Sequence, residues 1–268
     1  MDLITVQSIR VPRSRAELSF APGERPLGGG TWLFSEPQPG VTGLVDLMGL
    51  AWEPLVVTGA GVSVAATCTL AQLSELPPAD GWAAHPLIWQ CCTALLGSFK
   101  VWNVATVGGN ICLSLPAGPM TSLASALDAD AVIWTADGGE RRVRVTELVT
   151  GVRSNALGTG EVLRSVEIPA TSLQARTSSR RISLSPLGRT GTFVIARVDA
   201  SGEFVVTITA GTTRPRQLRF DEAPSARALE SAVLGLDGWH DDAHGAADWR
   251  RAMSVLFAEQ LRAELGAA

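Results

Sequence analysis

The sequence has no tyrosine, a single lysine (Lys100) among 22 basic residues, four cysteines and three histidines. Each scarcity narrows the chemistry. Cys68, Cys91, Cys92 and Cys112 form no C-x-x-C pair, and their spacing matches no zinc site or iron–sulfur loop, so they read as small buried residues of a reducing compartment. His85, His240 and His244 give no metal-ligand cluster, so no metal site is expected. No run approaches the roughly 18–20 apolar residues of a membrane span. The start, MDLITVQSIRVPRSRAELSF, lacks a cationic flank followed by an apolar core, which predicts no signal peptide and residence in the cytoplasm. A net charge of −4 removes the broad attraction to nucleic acid that a basic domain would have. No catalytic side chain stands out, because Ser98, Ser114 and Ser122 lie outside any G-x-S-x-G and His85 has no acidic orienter.

What is present is a globular composition, 46% hydrophobic and 18% charged, in 268 residues. Strands and helices alternate irregularly, which argues for an α+β fold over a doubly wound sheet. A short apolar strand is expected around Leu3, Ile4 and Val6, and a helix start at Ser14. LVDL at 44–47 reads as a strand. PLVVTGAGVSV reads as a hairpin around Gly59–Gly61, and its G-x-G lacks both the third glycine and the helix that a dinucleotide fingerprint needs. Thr69 is a candidate cap for LAQLSEL. Residues 86–99 read as a buried helix, NVATVGGNICLSLPAG as a loop, and Pro119 as the start of the next helix. AVIW and RRVRV flank Asp137–Gly139, a hairpin signal. The arginines 141, 142 and 144 read as a solvated face. Residues 161–168 read as a strand that closes this region. A polar stretch, TSLQARTSSRR, places a domain boundary near 170. Two alternating strands flank Asp199–Gly202 beyond it. The last helix carries a stripe of Trp249, Met253, Leu256, Phe257 and Leu261, with Asp248 as a candidate cap.

Two segments carry the chemistry. Gly28–Gly29–Gly30–Thr31 can bring backbone N–H groups close to an anion, and Thr31 adds a hydroxyl. Thr106–Val107–Gly108–Gly109–Asn110 supplies a second glycine pair, a hydroxyl and an amide. With no lysine in either, phosphate binding is expected to rest on backbone amides.

In order along nearly the whole chain, these pieces resemble the FAD-binding medium subunit of the molybdenum hydroxylases, the family of xanthine dehydrogenase and carbon monoxide dehydrogenase. Gly28–Gly29–Gly30–Thr31–Trp32–Leu33 followed by LVDL is similar to the family's A-G-G-T-D-L loop and L-I-D-L strand. Ala105 to Cys112 is similar to its A-T-V-G-G-N-I loop. Pro116–Ala117 and the helix to Leu127–Asp128–Ala129 resemble its S-P-A-x-D…L-L-A-L-D-A stretch. Gly160–Glu161–Val162–Leu163 through Ile168–Pro169 resembles its closing strand, and ITAGTTRPRQLR with the terminal helix resembles its C-terminal domain.

The resemblance implies a two-lobed FAD-binding domain of the vanillyl-alcohol-oxidase (PCMH) type over 1–170, its lobes split near 50–55, and a small α+β domain over 171–268. It implies FAD held by Gly28, Gly29, Gly30, Thr31 and Trp32 and by Thr106, Val107, Gly108, Gly109 and Asn110, with Ala105 and Leu163 against the flavin. It implies partners: a small iron–sulfur subunit, a large molybdenum-cofactor subunit, and assembly as a dimer of heterotrimers. Electrons would arrive from the iron–sulfur clusters and leave to an external acceptor. Two positions depart from the pattern, Trp32 and Pro119, where the family commonly carries acids; Ser114, Thr121 or a backbone N–H are the candidates to replace the second. A self-sufficient FAD oxidoreductase of this fold and a flavin-free structural subunit are the alternatives.

Overall fold

The computed structural model describes residues 3–266. The chain begins with strand β1 (Ser8–Arg10), a single 3-10 turn at Arg15–Glu17, β2 (Glu24–Leu27) and β3 (Gly43–Asp46). β1 and β2 both run parallel to β3, which lies between them. Arg10 ties the outer two together by donating from Nε and Nη2 to the two oxygens of Glu24, at 2.9 and 2.6 Å. The strand expected at Leu3–Val6 instead begins at Ser8, and the helix expected from Ser14 is only the 3-10 turn.

A second unit follows: β4 (Leu55–Thr58), β5 (Gly61–Ala65), α1 (Leu70–Ser74), α2 (His85–Ala94), α3 (Phe99–Trp102), α4 (Val107–Leu113), α5 (Pro119–Ala126), β6 (Asp130–Trp134), β7 (Glu140–Arg144), α6 (Val145–Leu148), β8 (Val149–Gly151), β9 (Ser154–Asn155) and β10 (Val162–Pro169). Its antiparallel sheet has the order β4-β5-β10-β6-β7. Helices α1, α2, α4 and α5 bury Leu70, Leu87, Ile88, Ile111 and Leu123 in one core with Val62, Val64, Ile133 and Val166 of the sheet. The hairpins at Gly59–Gly61 and Asp137–Gly139 form as the turn residues predict. Thr69 caps α1 in a capping box with Gln72.

Two segments here differ from expectation. The helix read over 86–99 ends at Ala94, and Phe99–Trp102 makes a separate turn. The segment read as a loop around Val107 is the helix α4, because the Thr106 hydroxyl accepts the Gly109 N–H at 3.1 Å and supplies the cap that its two glycines need.

The remaining elements are α7 (Ala170–Gln174), β11 (Arg176–Ile182), β12 (Thr192–Val198), β13 (Phe204–Thr209), β14 (Arg216–Phe220), α8 (Ala226–Leu234) and α9 (Ala247–Gly266). The stretch read as a polar separator is α7 and the edge strand β11 of an antiparallel sheet ordered β11-β12-β13-β14. The strands β12 and β13 are buried on both faces. Val194, Ala196, Phe204 and Val206 pack under α8 and α9, while Phe193 and Ile195 join the core that holds α5. The Ser122 and Thr209 hydroxyls meet across that second contact at 2.6 Å. On α9, Leu256 is exposed and the buried face is Arg250, Ser254, Phe257, Ala258, Leu261 and Leu265. Asp248 sits in the first turn, after the first helical residue. Among the described residues, no helix is long and apolar enough to cross a membrane.

Candidate functional site

Between the three-stranded and five-stranded sheets lies a cleft of about 950 Å³. A cavity of this size accepts a large cofactor. Its walls include Gly28, Gly29, Gly30, Thr31 and Trp32 from the segment after β2, and Ala105, Thr106, Gly108, Gly109 and Asn110 from the start of α4. Leu163, 2% exposed at a bulge in β10, forms part of the wall. Eleven of the twelve residues singled out in the sequence therefore meet at one cavity. The exception is Val107, whose side chain turns into the core between helices and sheet.

The glycines have two distinct jobs. At Gly29 a Cβ would fall 1.6 Å from the Val104 carbonyl oxygen, so the two loops touch backbone to backbone. At Gly108 a Cβ would come within 2.5 Å of the Ala66 Cβ. Its N–H donates to the Ala66 carbonyl, and the Val107 N–H donates to Cys68. Both positions are required by protein packing. Gly30 has φ +69°, a conformation that glycine adopts without strain. Gly109 is different: the sole group near its Cβ position is the Thr106 hydroxyl, and the rest opens on the cleft.

The donors follow the same division. The N–H groups of Val107, Gly108, Gly109 and Asn110 are all engaged within the protein. Among the described residues, those of Gly29, Gly30, Thr31 and Trp32 have no partner. The Trp32 indole N–H is also buried and unpartnered. Backbone donation to an anion is thus available at the first loop and already spent at the second. The Asn110 side chain is committed too: its Oδ1 accepts the Met120 N–H at 3.0 Å and caps the start of α5.

Three cations escaped the sequence reading. Arg25, Arg153 and Arg189 line the cleft. Arg25 and Arg189 have no partner among the described residues, and Arg153 lies 3.7 Å from Glu36. They come from β2, from the hairpin between β8 and β9, and from the loop between β11 and β12. No local motif marks residues assembled from such distant segments. The free guanidinium groups, free N–H groups and orphaned indole together suit an anionic cofactor with polar branches.

The remaining titratable groups in the walls are Glu161 and Cys112. The Arg141 guanidinium, donating to Glu161 at 2.8 Å, holds that carboxyl below its ordinary range, against the opposing effect of burial. Arg141 is therefore half of an ion pair, with its side chain still 35% exposed. Burial pushes the Cys112 thiol up to about 12, so it stays protonated. Neither group is poised to exchange protons near neutral pH. The Pro119 ring is buried at the first turn of α5 and outside the cleft. Ser114 is engaged with the Ile111 carbonyl, while the Thr121 hydroxyl is buried without a partner.

An α+β architecture with a cofactor-sized, cation-lined cleft between two sheets defines the class. Residues 13–171 match the family described as the FAD binding domain in molybdopterin dehydrogenase, and the chain belongs to that family. It is an oxidoreductase subunit whose cofactor is FAD. The fold is similar to that of quinoline 2-oxidoreductase from Pseudomonas putida 86, at 22% identity and a TM-score of 0.82 over 98% of each chain. It is also similar to reconstituted CO dehydrogenase from Oligotropha carboxidovorans, at 22% identity and a TM-score of 0.80 over 98% of this chain and 99% of that one. A CO dehydrogenase from Hydrogenophaga pseudoflava, described as lacking the Mo-pyranopterin moiety of its cofactor, aligns at 18% identity and a TM-score of 0.78 over 96% of both chains. No curated protein sequence matches the chain.

Proposed function

We propose that this chain is the FAD-containing electron-transfer subunit of a molybdenum hydroxylase complex. It takes electrons from the iron–sulfur clusters of a small partner subunit and delivers them to an external acceptor, while a large molybdenum-cofactor subunit oxidises the substrate. The carrying observation is the cleft itself: free donors and guanidinium groups surround about 950 Å³, yet no wall residue is tuned as an acid, base or nucleophile. That favours an electron-transfer subunit over a self-sufficient oxidase, whose substrate would need such a group. FAD supplies the redox chemistry when bound.

The chain's own residues bind and orient it. The N–H groups of Gly29 to Trp32 and the Thr31 hydroxyl hold the pyrophosphate, assisted by Arg25. Gly109 leaves room for the ribityl chain beside Thr106, whose hydroxyl is fixed as the α4 cap. Ala105 and Leu163 present an apolar surface to the ring. In this reading the two-lobed cofactor unit spans 1–170, which the family match ending at 171 supports, and 171–268 buttresses α5. The assembly is a cytoplasmic dimer of heterotrimers.

The visible spectrum of the complex purified with its natural partners is the test. Flavin bands assigned to this chain, with iron–sulfur bands from another, are expected. An active complex without flavin would overturn the proposal in favour of a structural subunit.

A further inference from the structure

Apolar packing divides the chain unequally. The buried side chains Val41, Leu44, Val45 and Leu47, around β3, belong to neither of the two hydrophobic clusters that hold the rest together. The strands β1, β2 and β3 pair only with one another. Among the described residues, no backbone hydrogen bond crosses from 3–50 to residues beyond 54. This small sheet can therefore move as a body about the point where the chain leaves it. Ala51 marks that point, with φ +46° in a region that residues other than glycine seldom enter.

Away from the cofactor loops, a stack of cations and rings holds the sheet down. Arg15 lies over the Trp134 ring at 4.4 Å and donates to the Gly139 carbonyl. Trp134 meets Trp52 edge to face at 5.2 Å. Arg164 lies over Trp52 at 4.5 Å and over Trp134 at 5.7 Å. Arg15 comes from the small sheet's side, Trp52 from just past the pivot, and Trp134 and Arg164 from β6 and β10. All four are half-buried. A contact of this kind is strong enough to hold and weak enough to release, since losing one shifts an equilibrium about three- to thirtyfold.

The opposite junction lies at the cleft. Gly29 touches the Val104 carbonyl there, and Glu36 and Arg153 face each other at 3.7 Å. Both sides of this junction supply cleft walls, so a cofactor passes beneath the first loop only when the small sheet lifts.

We propose that residues 8–50 form a lid over the FAD cleft, hinged at Ala51 and latched by Arg15 on Trp134, and that release of this latch sets how fast FAD enters and leaves. The inference rests on the reading of the cleft as the FAD site.

None of the four stacked residues lines the cleft, so the latch acts on rates. Weakening it lets the empty protein open more often and destabilises the closed, loaded form by the same factor, which leaves affinity in place. FAD uptake by the cofactor-stripped full chain and FAD release from the loaded chain are both followed by flavin fluorescence. Arg15→Gln should speed uptake and release about threefold or more, with Kd held within about twofold. Arg15→Lys keeps the cation and should return both rates towards the wild type. Trp134→Phe offers a weaker ring to the cation and should move both rates in the same direction as Arg15→Gln. Faster release with unchanged or slower uptake overturns the inference and makes Arg15 a support of the loaded fold instead. Wild-type rates in Arg15→Gln overturn it as well. Gly109→Leu tests the underlying reading separately. Flavin retained in that variant removes the cleft assignment and the lid with it; flavin lost there, with Arg15→Gln at wild-type rates, removes the lid alone.

Discussion

Gly29 and Val104 make the contact that closes the two cofactor loops on each other: the carbonyl oxygen of one occupies the space where the other would carry a Cβ, 1.6 Å away. The glycines of these loops are therefore not equivalent. Gly29→Ala must push the loops apart, costing about 1–3 kcal/mol of stability and displacing the free N–H groups beside it. Gly109→Leu should act chiefly on the cofactor. Its side chain enters the cleft and its Cβ presses on the Thr106 hydroxyl that caps α4, 2.8 Å away, so a cap loss of about 0.5–2 kcal/mol should accompany the loss of flavin retention. Thermal unfolding and the flavin-to-protein absorbance ratio check both variants. Unchanged flavin occupancy in Gly109→Leu would remove the start of α4 from the binding site.

Thr106 sustains α4 despite its adjacent glycines, because its hydroxyl accepts the Gly109 N–H. Thr106→Val should cost about 0.5–2 kcal/mol and loosen flavin binding, and Thr106→Ser should restore both. Urea denaturation of the three proteins measures the difference.

What the sequence made legible follows from where each signal lives. The first glycine loop, the hairpins and the Thr69 cap depend on neighbouring residues, and they fold as read. The α4 helix was hidden because Gly108 and Gly109 look like loop residues, and their helical state depends on a hydroxyl beside them. The strand β11, RTSSRRI, looked like a separator because an edge strand needs little apolar character; its pairing with β12 supplies the missing information. On α9, apolar spacing selected Phe257 and Leu261, which are buried, and also Leu256, which is exposed, while it missed the buried Ala258 and Arg250. Arg250 is 1% exposed and fully committed to the Gly191, Ala210 and Gly245 carbonyls and to Asp242. The cleft arginines were invisible for the same reason: tertiary structure alone gathers them.

The Trp32 indole N–H is buried without a partner in the protein, which is a cost unless a ligand accepts it. Trp32→Phe removes the donor and keeps most of the ring. The variant should be as stable as the wild type without cofactor, and should bind FAD more weakly by about 0.5–1.5 kcal/mol. Titration calorimetry on the cofactor-stripped protein would show this. An unchanged affinity would mean that the indole points away from the cofactor.

The lobe that carries the first loop has its own pH dependence. Glu24 is held down to about 2 by the paired hydrogen bonds from Arg10, helped by the Ala21 N–H, against an ordinary value of 4.5. A carboxyl depressed on folding stabilises fully above its unfolded value and loses that contribution as pH falls towards the folded one. The Arg10–Glu24 pair joins the two strands that flank β3, and β2 runs directly into Gly28. Acidification from about pH 5 towards 2 should therefore weaken this lobe and release flavin. Glu24→Gln should release it at a higher pH and flatten the dependence in that window. Flavin fluorescence recovered in the filtrate across a pH series measures both curves; coincident curves for the variant and the wild type would place the acid-sensitive contact elsewhere.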